Sequence, residues 1–138
     1  MDAVLLDTGY LLALELANDQ NHQVAKAHWE RVSKWRLRLV TTSYVFAKVV
    51  TFLNSRGHHT KALQVGNNLL HSPSVHLVHI SEALFYKGWS YFERHQDKSY
   101  SLTDCISFIL MPKFGITRAL TFDQHFSQAG FIREPQSV

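Results

Sequence analysis

Short apolar runs alternate along this chain with longer segments of helical period. Ala3-Val-Leu-Leu6 is strand-like by its length and is stopped by Asp7-Thr8-Gly9. A helix is expected from about Thr8, carrying Leu11, Leu12, Leu14 and Leu16. After the polar break Asn18-Asp-Gln-Asn21, a second helix is expected over about His22 to Lys34, with Val24, Ala25, Ala27, His28 and Trp29 on a partly apolar face. Leu37 to Thr41 reads as the second strand, and Thr42 or Ser43 can cap the next helix by accepting a bond from a free backbone N–H. That helix, from near Tyr44, is apolar nearly all round through Val45, Phe46, Val49, Val50, Phe52 and Leu53. Its one polar stripe is Tyr44, Lys48, Thr51 and Ser55.

Asn54-Ser-Arg-Gly57 ends this element, and a helix from about His59 to Leu70 follows. A turn signal at His71-Ser-Pro-Ser74 precedes a third strand, Val75 to Ile80. Ser81 opens a helix with Ala83, Leu84, Phe85, Trp89 and Phe92 on its buried side. Beyond a polar loop at 95–100 comes an apolar helix around Asp104, which Pro112 should end or kink near Met111. Residues 118–122 make a fourth strand, and Phe131 to Arg133 a fifth at an edge. Strands alternating with helices argue for a parallel sheet covered on both faces, in one domain spanning 1–138. Such sheets take their ligands at the carboxyl ends of the strands, which is where Asp7 and Asp123 stand.

Composition adds that 46% of the residues are hydrophobic and 18% charged, so the chain has a large core and apolar surface to spare. Phe46, Phe52, Phe85 and Trp89 are candidates for a homodimer contact or a groove for a partner helix. The single cysteine, Cys105, excludes an internal disulfide and is expected to be a small buried hydrophobe. With no basic leader pattern and no run of 18 uncharged apolar residues, a soluble cytoplasmic protein away from membranes is expected. A net charge of +3 suits a polyanionic partner without requiring one, and Arg31-Val-Ser-Lys-Trp-Arg-Leu-Arg38 mixes basic and aromatic residues as RNA-binding surfaces do. Zinc is not expected, because His76 and His79 point to opposite faces of a strand and no second cysteine completes a structural set.

The candidate chemistry lies in three aspartates at three element ends. Each has a plainer explanation. Asp7 can cap the first helix, Ser101-Leu-Thr-Asp104 is a capping-box pattern, and Asp123 can cap a short helix through Phe126. Brought together, the three would repel unless a hard divalent cation sat between them, and Mg²⁺ or Mn²⁺ suits such oxygen ligands. A metal site of this kind suits phosphodiester hydrolysis. Asp97 and Thr103 lie close by in sequence and could orient a ligand or a water. His125 is expected to be a packing or surface residue.

Val4-Leu-Leu-Asp-Thr-Gly-Tyr-Leu-Leu-Ala13, Asp19-Gln-Asn-His22, Thr41-Thr-Ser-Tyr44, Ser101-Leu-Thr-Asp-Cys-Ile-Ser-Phe108 and Thr121-Phe-Asp-Gln-His-Phe126 together resemble the PIN-domain family. Within that family the resemblance is to the VapC-type toxin ribonucleases of toxin–antitoxin pairs, and it covers nearly the whole chain. It implies a three-layer α/β/α sandwich with a parallel sheet of four to five strands. It also implies a Mg²⁺- or Mn²⁺-dependent ribonuclease with RNA as substrate, and a cognate antitoxin as partner. Asp7, Asp104 and Asp123 match the acidic positions, as metal ligands and catalytic groups. The family pattern expects a glutamate where this chain has Lys48. Such a replacement changes the local charge by two units, and a unit charge pair at about 4 Å is worth roughly 4 kcal/mol at an effective dielectric near 20. Weak metal binding and little cleavage are therefore expected. Two readings remain open: a ribonuclease weakened at Lys48, or a catalytically inactive PIN-fold protein that binds RNA or an antitoxin.

Overall fold

The computed structural model describes residues 2–136. Five parallel strands form one sheet: β1 (Ala3–Leu6), β2 (Arg38–Thr42), β3 (Val75–Val78), β4 (Arg118–Leu120) and β5 (Ile132–Glu134). Their order across the sheet is β3-β2-β1-β4-β5. Between β1 and β3 run α1 (Thr8–Glu15), α2 (His22–Val32), α3 (Ser43–Ser55) and α4 (His59–His71). After β3 come α5 (Glu82–Arg94), α6 (Leu102–Lys113) and α7 (His125–Gln128).

The chain builds outward from β1 to β3, then crosses back to the other side of β1 to lay down β4 and β5. Right-handed crossovers running in opposite directions must put their helices on opposite faces. The core divides accordingly. Val4, Leu6, Leu39 and Leu120 pack with Val45, Val49, Leu53 and Leu69 of α3 and α4, whereas Leu5, Val40 and Ala119 pack with Phe108, Leu110, Met111 and Phe126 of α6 and α7. Alternate residues of one strand thus serve two layers, which is why the strands read as continuous apolar runs. The expected α/β/α sandwich with its parallel sheet is what the chain forms.

Several element boundaries differ from the sequence expectation, each for a local reason. β4 stops at Leu120 because Thr121 turns its hydroxyl back to accept the Asp123 N–H at 3.0 Å. β3 stops at Val78, and the Ile80 N–H leaves the ladder to reach Ser43 Oγ at 3.0 Å. α6 passes Pro112 and ends at Lys113, since a proline in the last turn costs only one helical bond. The stop is made by Gly115, at φ 66°, which lets the Ile116 N–H return to the Met111 carbonyl at 2.9 Å. α2 turns inward Ala25, His28 and Val32, and Val24 and Ala27 are exposed. Cys105 is fully buried, as expected.

The buried side of α5 is the largest correction. Ala83, Trp89 and Phe92 are exposed, and Gly88 is the one fully buried residue of the helix, with Leu84, Phe85 and Tyr91 partly covered. Its missing side chain admits Ile106 of α6. A Cβ on Gly88 would overlap the tip of the Ile106 side chain and lie 3.1 Å from its Cγ1. Gly88→Val is therefore expected to lower stability by about 1–3 kcal/mol through overpacking. Adding Ile106→Val should restore part of the loss in urea denaturation; a double variant no more stable than the single one would refute this account of the contact.

Candidate active site

β1 and β4 are sheet neighbours from opposite ends of the sequence, and the strand order reverses between them. Their carboxyl ends open a cleft of about 340 Å³, lined by Asp7, Lys48, Thr103, Asp104, Asp123 and His125 among others. A doubly wound sheet has its natural ligand crevice at such a reversal point.

Asp7 follows β1 directly. Its N–H donates to the Leu120 carbonyl at 3.1 Å, which continues the β1–β4 ladder by one residue. It occupies the cap position of α1, yet its side chain makes no capping bond and instead accepts from Thr121 Oγ1 at 2.7 Å. The carboxyl is buried, and burial pushes its pKa from 3.8 up to about 6. The Thr121 hydrogen bond opposes the rise, and the negative charges of Asp104 and Asp123 add to it.

Asp104 does two jobs at once. Its N–H donates to Ser101 Oγ at 3.0 Å and its Oδ2 accepts the Ser101 N–H at 3.2 Å, so the capping box is real and starts α6 at the cleft. A carboxylate has further lone pairs to offer, and Asp104 also lines the cleft. Asp123 follows the β4 turn, and its Oδ1 accepts the His125 N–H at 2.9 Å, holding the first residue of α7. Phe122, between Thr121 and Asp123, stacks on Tyr10 with ring centroids 5.9 Å apart, which anchors the turn to α1.

Two residues of the site escaped sequence reasoning. Thr121 is buried and joins two acids, donating to Asp7 and accepting from the Asp123 N–H. The only trace in the sequence is its place two residues before Asp123. His125, expected to be a packing residue, puts Nδ1 3.3 Å from Asp104 Oδ2 and 3.2 Å from Asp123 Oδ1. Its signal was likewise the two-residue offset from Asp123, the spacing at which an aspartate side chain accepts a backbone N–H, here that of His125.

Lys48 projects from α3 into the same cleft but is exposed. Among the described residues it has no carboxylate within 4.0 Å, so it does not bind the three aspartates together as an internal counter-ion. Solvent screens an exposed ammonium, so its repulsion of a cation falls below the value for a buried pair, with the sign unchanged. Thr103 lines the cleft; Asp97 is exposed outside it, 3.9 Å from Lys98 Nζ. The basic segment 31–38 leads into the start of β2, at the end of the sheet away from the cleft. Burial, with Asp104 beside it, pushes the Cys105 thiol up to about 11, so it stays a protonated core group.

The donor set fits a hard divalent cation. Asp104, Asp123 and His125 offer atoms that all lie within 4.8 Å of one another. Thr8, also in the cleft wall, has a buried hydroxyl oxygen without a partner. Asp7 is a buried acid whose ionisation is opposed by two others, a conflict that a positive charge in the cleft would relieve.

Three comparisons bear on this arrangement. The family model described as PIN domain matches residues 4–132. The chain is 35% identical over 129 residues to the 23S rRNA-specific endonuclease VapC20 of Mycobacterium tuberculosis, a match covering 94% of this chain and 95% of that protein. The crystal structure of VapC20, described as a sarcin–ricin loop cleaving toxin, superposes with a TM-score of 0.84 at 33% identity, over 94% of this chain and 96% of its own. FitAcB from Neisseria gonorrhoeae shares the fold, with a TM-score of 0.65 at 15% identity over 94% of this chain and 95% of its own.

The Asp7 environment has a measurable cost. Its folded pKa lies above the unfolded value of 3.8, so between about pH 4 and 6 the native state holds the proton more tightly and stability falls as pH rises. A shift of that size is on the order of 3 kcal/mol once the group is ionised. Asp7→Asn should accordingly stabilise the chain in EDTA by about 1–3 kcal/mol at pH 7.5, with the gain shrinking toward pH 4. Urea denaturation at both pH values checks this; a less stable variant at pH 7.5 would contradict the burial account.

Proposed function

The chain belongs to the PIN-domain family and, within it, to the VapC-type toxin ribonucleases, and on that premise we propose that it is a divalent-metal-dependent endoribonuclease, the toxin of a toxin–antitoxin pair, held to low activity by Lys48. The observation that carries the reading is the convergence of Asp7, Asp104 and Asp123, from two strand ends and a helix start, on one cleft at the reversal of the sheet. Large-subunit ribosomal RNA is the substrate to try first, because the 35%-identical relative is an endonuclease specific for it.

In this reading Asp7, Asp104 and Asp123 hold Mg²⁺ or Mn²⁺, which when bound supplies charge neutralisation at the phosphoryl oxygens and activation of a water. The remaining work falls to the protein. Thr121 fixes the Asp7 carboxylate and the Asp123 backbone in one geometry, so the acids meet the substrate without rearranging. Lys48 stands on the wall where the family carries an acid. There it opposes the ion, while its ammonium can take a phosphate oxygen of the RNA as a point charge. Trp89 and Phe92 are exposed and stacked at 5.5 Å, beside a hollow that shares Ser99 with the cleft, and this pair suits unstacked bases of the bound strand. An apolar groove of about 400 Å³, with Leu11, Leu14, Trp29, Val32 and Trp35 in its walls, is where we place a segment of the antitoxin. Such a protein would work in the cytoplasm, and among the described residues no helix is long and apolar enough to cross a membrane.

Lys48 itself favours the second reading, a PIN-fold protein that binds RNA or an antitoxin without cutting. One substitution separates the two. Lys48→Glu, assayed on ribosomal RNA with added Mn²⁺, should raise cleavage by at least about tenfold, equivalent to roughly 1.4 kcal/mol of regained ion affinity. Combining it with Asp7→Asn should abolish the gain. No cleavage by Lys48→Glu at any Mn²⁺ concentration would favour the binding protein.

A further inference from the structure

We infer that His125 is a nitrogen ligand of the cation in the cleft, grouped with the Asp104 and Asp123 carboxylates, so that this chain binds Mn²⁺ in preference to Mg²⁺. The inference rests on the metal-dependent reading above and names a residue that the acidic pattern does not contain.

The spacing is the first support. Neighbouring ligands on an octahedral ion, with bonds of about 2.1–2.2 Å, stand roughly 3 Å apart. His125 Nδ1 lies 3.3 Å from Asp104 Oδ2 and 3.2 Å from Asp123 Oδ1, close to that separation from both. All three donors also fall within the 4.8 Å span that one ion can bridge.

The ring is held in this place. The His125 backbone N–H donates to Asp123 Oδ1 at 2.9 Å, and the imidazole packs edge-on against Tyr100 with centroids 5.3 Å apart. Tyr100 is buried and immediately precedes Ser101, the cap of α6. The contact therefore couples the imidazole to the segment that delivers Asp104, and leaves Nδ1 facing the cleft.

The chemistry then follows from the side chains that line the cleft. Lys48 offers an ammonium there and no donor atom to a cation, whereas the neutral His125 imidazole supplies one. Nitrogen adds more to the binding of a first-row transition ion than to Mg²⁺, which demands oxygen ligands and sheds water reluctantly. The metal preference of this chain should therefore lean further toward Mn²⁺ than an all-carboxylate site would.

The Lys48→Glu variant, titrated with Mn²⁺ and followed by electron paramagnetic resonance, provides the test. Pulsed measurements should show nitrogen coupling to the bound Mn²⁺, and with nine histidines in the chain, loss of the coupling in Lys48→Glu/His125→Gln assigns it. The same double variant should bind Mn²⁺ about tenfold more weakly while Mg²⁺ affinity, from competition, changes about twofold or less. Mn²⁺ bound to Lys48→Glu without nitrogen coupling overturns this inference and leaves the proposed function standing. No Mn²⁺ binding by Lys48→Glu overturns both. The overturning result, bound Mn²⁺ without nitrogen coupling, is read with His125 intact and does not depend on the folding of the histidine variant.

Discussion

The seam between β1 and β4 is the contact on which the rest of the molecule depends. It joins the first strand to one laid down more than a hundred residues later, through the pairings Leu5↔Ala119 and Leu6↔Leu120. The ladder runs one step past the strands, from the Asp7 N–H to the Leu120 carbonyl, and the Thr121 hydroxyl then closes on the Asp7 carboxylate. A register slip of one residue here would turn Leu5 and Leu6 to the wrong layers and carry Asp7 away from Thr121. Core packing and site geometry are thus set by the same few hydrogen bonds.

That arrangement places negative charge where charge is costly. Asp7 is buried, faces two other acids, and is pushed well above the ordinary carboxylate range. The surrounding apolar layers make such a site tolerable, since Val4, Leu5, Leu120 and Ile106 are almost wholly buried and hold the strand and helix ends in place. A positive charge in the cleft would offset that burial cost. Lys48 brings a positive charge into the cleft and, among the described residues, has no carboxylate within 4.0 Å.

Most of the architecture was legible in the sequence. The apolar runs at 3–6, 75–80 and 118–122 marked strands with site residues or turns at their carboxyl ends, although the last two stop sooner, at Val78 and Leu120. The capping box at Ser101 was readable because it is local, and it proved compatible with a place for Asp104 in the cleft. The buried face of α5 was misread for the opposite reason. Trp89 and Phe92 carry the hydrophobic signal, yet the helix packs through Gly88, which has no side chain for any periodicity to register.

By itself the sequence determined the alternation of strands and helices, the three aspartates, and the lysine on the polar stripe of α3. These follow from residue types and short spacings, which act over a few residues. Only the tertiary structure decided that Thr121 would bridge Asp7 and Asp123, that His125 would face two carboxylates, and that Asp97 would stay outside the cleft. Those outcomes depend on which strands become neighbours across the reversal of the sheet, a contact between distant parts of the chain. Thr121 and Asp7 are 114 residues apart and 2.7 Å from oxygen to oxygen, and no local pattern encodes that distance.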